Sequence, residues 1–187
     1  MPLLRIESAT PKTRTKRARY TEFHDPWTLL PNGEYFRARL ERALGHTEPP
    51  LQELAVLYVK LNLGDVDRFS VDDERDVGAE LLKIYAVRLA LSVRAEDMLS
   101  RVGQDEFVCL VTGVPGRDQL RDQARKLLDA VSAPAKAGRY RHCVNASIGI
   151  AIFPQDGRTA DELLGNAEFA MRSAKRQDAG CKFTDEC

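Results

Sequence analysis

Asp105 and Glu106 adjoin in the stretch RVGQDEFVCL, residues 101–110, between two short apolar runs at 98–102 and 107–111. The runs read as the arms of a β-hairpin and the acids as its turn. Two carboxylates side by side in a tight turn can hold a hard divalent cation through oxygen, or divide acid and base work between them. The same pair also reads as two solvated turn residues, an ordinary use of aspartate. His142 and Cys143 are the other adjacent pair with metal-binding chemistry. Neighbours in a strand point to opposite faces, so these two cannot converge on one ion.

The turn acids need a scaffold, and the hydrophobic pattern supplies one. Tyr35, Phe36, Leu40 and Leu44 recur at helical spacing after the turn-rich segment HDPWTLLPN, predicting a helix over 33–44. Trp27 in that segment is expected to pack in the core, stapling the helix start. The run LAVLYVKLNL, 54–63, is rich in β-favouring residues and predicts a central strand. Leu81, Leu82, Tyr85, Leu89 and Val93 predict a long helix over 77–93, and Leu120, Ala124, Leu127, Leu128 and Val131 another that ends before Pro134. Residues 143–154 read as a strand, Leu163, Leu164, Ala167, Met171 and Ala174 as the last helix, and 182–183 as a short closing strand. The order helix, strand, helix, hairpin, helix, strand, helix implies an α+β, ferredoxin-like domain whose mostly antiparallel sheet is flanked by helices. Such a fold brings the end of the central strand, at Asn62, close to Asp105.

The 187 residues are 43% hydrophobic and 30% charged, with 28 basic against 28 acidic side chains. This length buries one sizeable core. Balanced charge gives no overall field that would favour nucleic acid or an anionic membrane, and no apolar run reaches the length of a membrane span. The four cysteines show no paired or metal-ligand spacing, and no export signal opens the chain, so a reducing cytoplasm is expected. Residues 1–22, with Lys12, Arg14, Lys16, Arg17 and Arg19, read as a linker or the end of an upstream signalling helix, and 23–187 as the domain.

Four stretches, DPWTLLPN, RVGQDEF, SIGIAIFPQDG and LLGNAEFAMRSAK, resemble in order and separation the landmarks of GGDEF domains, the diguanylate cyclases of bacterial signalling. The resemblance covers residues 23–183 and implies the nucleotidyl-cyclase palm fold. Active members join two GTP molecules into cyclic di-GMP with the help of divalent ions. Their ligands come from an aspartate ending the central strand and an acid in the hairpin turn. Asp105 stands at the turn position with Glu106 beside it, while the family's LDLD is LNLG at 61–64, which places Asn62 at the first carboxylate. An amide offers oxygen without charge, a poor match to a dication held against a triphosphate.

Other positions depart as well. The family's guanine-binding asparagine and aspartate correspond to Ser70 and Ala79, the second signature glycine to Gln104, and the GRN after the phosphate-binding lysine, here Lys175, to DAG at 178–180. Each lost polar partner to a base edge costs about 1–3 kcal/mol. The expectation is therefore a domain without diguanylate cyclase activity, in which Asp105 and Glu106 are remnants of the site; Mg²⁺ enters only if residual activity persists. Arg94 and Asp97, in RAED, occupy the register of the family's RxxD inhibitory site for cyclic di-GMP. A guanidinium can fork onto guanine or phosphate and a carboxylate can accept from a base. Arg125 is the expected second arginine. As an exposed pair near a helix end, Arg94 and Asp97 would be worth only about 0.3–0.5 kcal/mol. The resemblance implies cyclic di-GMP, other domains of a larger signalling protein or a second copy as partners. Two alternatives are an interaction module that binds no nucleotide, and a weak cyclase using Asp105, Glu106 and Lys175 with Asn62 as a neutral ligand.

Overall fold

The computed structural model describes residues 22–45, 54–63, 75–113 and 116–187. The expected linker at 1–22, apart from its last residue, and positions Gly64 and Ser70 lie outside them. The elements in chain order are α1 (Gly33–Gly45), β1 (Leu54–Asn62), α2 (Arg75–Ser92), β2 (Met98–Arg101), β3 (Glu106–Thr112), α3 (Arg117–Ser132), β4 (Ala135–Ala137), β5 (Tyr140–His142), β6 (Asn145–Phe153), α4 (Ala160–Gln177) and β7 (Cys181–Phe183), then a 3-10 turn at Thr184–Glu186. The five-stranded sheet has the order β2-β3-β1-β6-β7. Its first four strands pair antiparallel and β7 joins β6 in parallel. The run β1-α2-β2-β3-α3-β6 with spatial order β6-β1-β3-β2 is the ferredoxin-like arrangement the sequence implied.

Strand alternation sorts the core into two layers. Ala55, Leu57, Val59 and Leu61 of β1 join Phe107, Cys109 and Val111 of β3 and Ile148, Ile150 and Ile152 of β6 beneath α2 and α3. Leu54, Val56 and Tyr58 join Val108, Leu110, Ala151 and Phe153 beneath α1 and α4. On this second face the apolar positions of β1 stop at Tyr58. The next two residues of the same face are Lys60 and Asn62, so the sheet's second face becomes polar where the β2–β3 turn adjoins it.

Gly149 in β6 lets α4 lie against the sheet: a Cβ there would stand 2.0 Å from the Ala167 carbonyl oxygen and 2.1 Å from the Met171 nitrogen. α4 starts on a capping box in which Thr159 accepts from the Glu162 N–H while Glu162 accepts from the Thr159 N–H.

Two features depart from the sequence reading. β4 and β5 form a separate two-stranded hairpin where no strand was expected. Each arm is three residues long with no apolar run, and the turn relies on Gly138 at φ +58°. Trp27 does not staple the core; it is 56% exposed. The turn that carries it closes through Asp25 instead, whose carboxylate accepts from the Thr28 N–H and hydroxyl and from Arg101.

Candidate functional site

β1 and β3 pair in a register that sets Lys60 directly across from Glu106. Both belong to the α1/α4 face, and the turn that precedes Glu106 folds back over the end of β1. The Leu61 N–H donates to the Asp105 carbonyl at 2.9 Å, and the Val102 N–H to the Glu106 carbonyl at 2.9 Å. The expected proximity of the strand end to Asp105 is therefore present. The side chain that meets the acids, however, is Lys60, two residues before Asn62 on the same face. Strand parity is the signal that could have found it, since Val56, Tyr58, Lys60 and Asn62 alternate onto one side of β1.

Lys60 Nζ lies 3.0 Å from Asp105 Oδ1 and 2.9 Å from Glu106 Oε1. The three side chains are 25%, 25% and 26% exposed, so the pairing is partly shielded from water. The second Glu106 oxygen accepts from the Tyr58 hydroxyl at 2.9 Å. Burial alone would raise the Glu106 pKa, and the bonds from Lys60 and Tyr58 outweigh it, leaving the carboxyl below its ordinary range. Burial likewise opposes the Lys60 charge, yet its bonds to Glu106 and Asp105 hold its pKa above the ordinary lysine value. Tyr58 is pushed up by burial and then by Glu106, so its phenol stays protonated and donating.

Gly103 gives this arrangement room, since a Cβ there would stand 2.7 Å from Glu106 Oε2. Gln104 is exposed, and its carbonyl accepts from Arg101 at 2.8 Å. Asn62 contributes a buried Oδ1 without a hydrogen-bond partner among the described residues. Ala79 lies in α2 and presents only a methyl group. Lys175, exposed in the last turn of α4, takes no part in the hydrogen bonds of the cluster among the described residues. The α4 groups that reach the cluster electrostatically are Glu168 and Arg172, which pair with each other at 2.5 Å.

A dication does not fit this donor set as it stands. Mg²⁺ asks for several hard oxygens, usually including free carboxylates. Both acids already hold an ammonium, and among the described residues no three His, Cys, Asp or Glu side chains group where a metal ion could be held.

Arg94 and Asp97 form a second cluster in the turn between α2 and β2. Arg94 Nε and Nη2 donate to Asp97 Oδ2 and Oδ1 at 2.8 and 2.9 Å. Asp97 Oδ1 also accepts from the Thr112 N–H, and Arg94 Nη2 donates to the Thr112 carbonyl. The Asp97 side chain has no exposed surface, whereas Arg94 retains 36%. The reading of these residues as an exposed surface pair is thus corrected by burial. Arg94 borders a cavity of about 220 Å³ shared with Gln119, Asp122, Gln123 and Lys126. Arg125 is absent from its walls; it stands exposed on α3 beside Asp122 at 3.6 Å. Lys126, one residue further along α3, lines the same cavity as Arg94.

Residues 22–181 match the family described as "Diguanylate cyclase, GGDEF domain". Among curated relatives, the chain is 36% identical over 182 residues to the bifunctional diguanylate cyclase/cyclic di-GMP phosphodiesterase MucR of Pseudomonas aeruginosa, covering 92% of this chain and 26% of that protein. It is 34% identical over 164 residues to the diguanylate cyclase TpbB of the same species, covering 85% of this chain and 36% of that one. The chain therefore spans about a quarter to a third of these relatives. Among solved structures, the GGDEF domain of TpbB superposes with a TM-score of 0.75 at 30% identity, covering 82% of this chain and 89% of that one. A sensory box/GGDEF family protein from Caulobacter crescentus gives 0.74 at 29%, covering 83% and 99%. No helix among the described residues is long and apolar enough to cross a membrane. With its fold, its turn acids and these relatives in agreement, the chain belongs to the GGDEF domain family.

Proposed function

We propose that this GGDEF domain makes no cyclic di-GMP and serves cyclic di-GMP signalling as a regulatory domain that senses the dinucleotide at Arg94. The single observation that carries the loss of synthesis is the Lys60 ammonium between Asp105 and Glu106. It satisfies the acids that would otherwise attract the dications, and a positive charge fixed there repels them. Ala79, which lacks a hydrogen-bonding group, supports the same reading from the base-recognition side.

Sensing is supported by the Arg94 cavity, whose lining combines a guanidinium, an ammonium and two amides that can meet phosphate and base edges with the Asp122 carboxylate, which can accept from a base. In this arrangement Asp97 acts from beneath, holding Arg94 in place, and is not itself offered to ligand.

The test uses the full chain with GTP and Mg²⁺ or Mn²⁺. Chromatography is expected to find no cyclic di-GMP; product abolished by Asp105→Ala would overturn the first half. Calorimetry with cyclic di-GMP is expected to give heat at micromolar ligand that Lys126→Glu weakens. No heat from folded protein at high micromolar ligand would overturn the second half.

A further inference from the structure

Outside the Arg94 cavity, the polar end of β1 carries the strongest unexplained arrangement. There one lysine, one tyrosine and an amide oxygen without a partner among the described residues meet the two acids of the β2–β3 turn on one face. We infer that Lys60 is the domain's own resident cation, which orders the β2–β3 turn in place of a divalent ion and masks a latent dication site. This rests on the reading of the domain as catalytically silent and deepens it, because it assigns the silence to one side chain and not to a collapsed pocket.

Three observations support the assignment. First, the contacts are those of a bridging cation: Nζ reaches one oxygen of each acid at hydrogen-bond distance. Second, the acids remain aimed at one point. Glu106 is steered by Tyr58 and fits the glycine-sized gap at Gly103, and the Asp105 backbone is held by the bond from the Leu61 N–H to its carbonyl, contacts that do not use the Lys60 side chain. Third, Asn62 Oδ1 is buried and lacks a partner among the described residues, an oxygen ligand on the strand face that Lys60 shares. Exchanging the ammonium for a carboxylate would gather three acids on a frame that persists, and their mutual repulsion is what a hard dication relieves.

Mn²⁺ alone, without nucleotide, is the probe. The wild-type chain is expected to melt at the same temperature in chelator and in millimolar Mn²⁺, and to show no saturable binding by calorimetry. Lys60→Asp is expected to melt lower in chelator, to recover with Mn²⁺, and to bind the ion at least about tenfold more tightly than wild type. Lys60→Met, which adds no repulsion, serves where Lys60→Asp does not fold even with Mn²⁺. It leaves the two acids open and is expected to gain weaker saturable binding that Asp105→Asn removes. Saturable Mn²⁺ binding by wild type, lost in Asp105→Asn, would overturn the inference, as would a folded Lys60→Asp, or in its absence a folded Lys60→Met, that gains none. These arms contain no GTP, so they report on Lys60 separately from the assay of cyclic di-GMP synthesis.

Discussion

The Asp97 side chain lies fully buried beneath Arg94, which forks onto it at 2.8 and 2.9 Å while both residues bind the backbone of Thr112. The pair pins the turn after α2 to the end of β3. The two halves are not equivalent to remove. Arg94→Ala strands a buried anion and is expected to cost about 3–5 kcal/mol, whereas Asp97→Ala leaves a cation that is one-third exposed and reachable by water, at about 1–3 kcal/mol. Urea unfolding of both variants checks the order; equal losses would mean that water reaches Asp97 as readily as Arg94.

Leu29 sits at φ +60° and is 63% exposed. The left-handed region costs a residue with a Cβ about 1–2 kcal/mol, and the exposed leucine recovers little of that by burial. Leu29→Gly is expected to stabilise the domain by about 0.5–1 kcal/mol after the extra chain entropy of glycine is subtracted. Leu29→Ala should give no such gain. A denaturation midpoint lower in the glycine variant would show that the leucine side chain contributes contacts that outweigh the strain.

The scaffold was legible because its signals are periodic. Alternation along β1 and the helical spacing of Leu81, Tyr85 and Leu89 place the core residues where the structure has them. The site was legible only in part. Asp105 and Glu106 announce themselves as neighbours in a turn, but Lys60 becomes their partner through strand pairing across 45 residues of chain, which no local pattern carries. Its parity with Asn62 was the available signal. Of the neighbours Arg125 and Lys126 on α3, Lys126 lines the cavity beside Arg94, whereas Arg125 rests on the family resemblance, which carries no cavity geometry. The β4–β5 hairpin and the exposure of Trp27 depend on a glycine turn and on the Asp25 hydrogen bonds, neither of which follows from hydrophobicity.

Gly149 and Gly165 separate close packing from helix propensity. A methyl at Gly149 meets the backbone of α4 at 2.0 Å, which no rotamer can relieve, so Gly149→Ala is expected to cost about 3 kcal/mol or more. Gly165 lies within α4 with nothing near its absent Cβ, so Gly165→Ala is expected to gain about 0.5–1 kcal/mol. Thermal melts of the two variants should move in opposite directions, and a stabilised Gly149→Ala would contradict the close approach of α4 to β6.

The Lys60 cluster sets a pH window. Glu106 titrates below its ordinary value of 4.5, so its contribution is present above that value and lost as the pH falls through the depressed folded value. Lys60 titrates above its ordinary 10.5, so its contribution is present below that value and lost as the pH rises through the raised folded one. Tyr58, also raised, adds to the alkaline loss because unfolding lets its phenol ionise. Asp105 and the Glu168–Arg172 pair are the other charged groups around it, and the α4 pair is mutually compensated. Lys60→Met is therefore expected to cost about 1–3 kcal/mol near neutral pH, through the unpaired acids it leaves. That deficit relative to wild type should shrink as both proteins are taken below pH 4.5, the ordinary Glu106 value, and on through its depressed folded value, where Glu106 becomes neutral and no longer needs a counter-charge. Denaturant titrations across this range measure the difference directly. A deficit that stays constant into strong acid would mean that Lys60 acts through its aliphatic stem packing on the sheet and not through its charge.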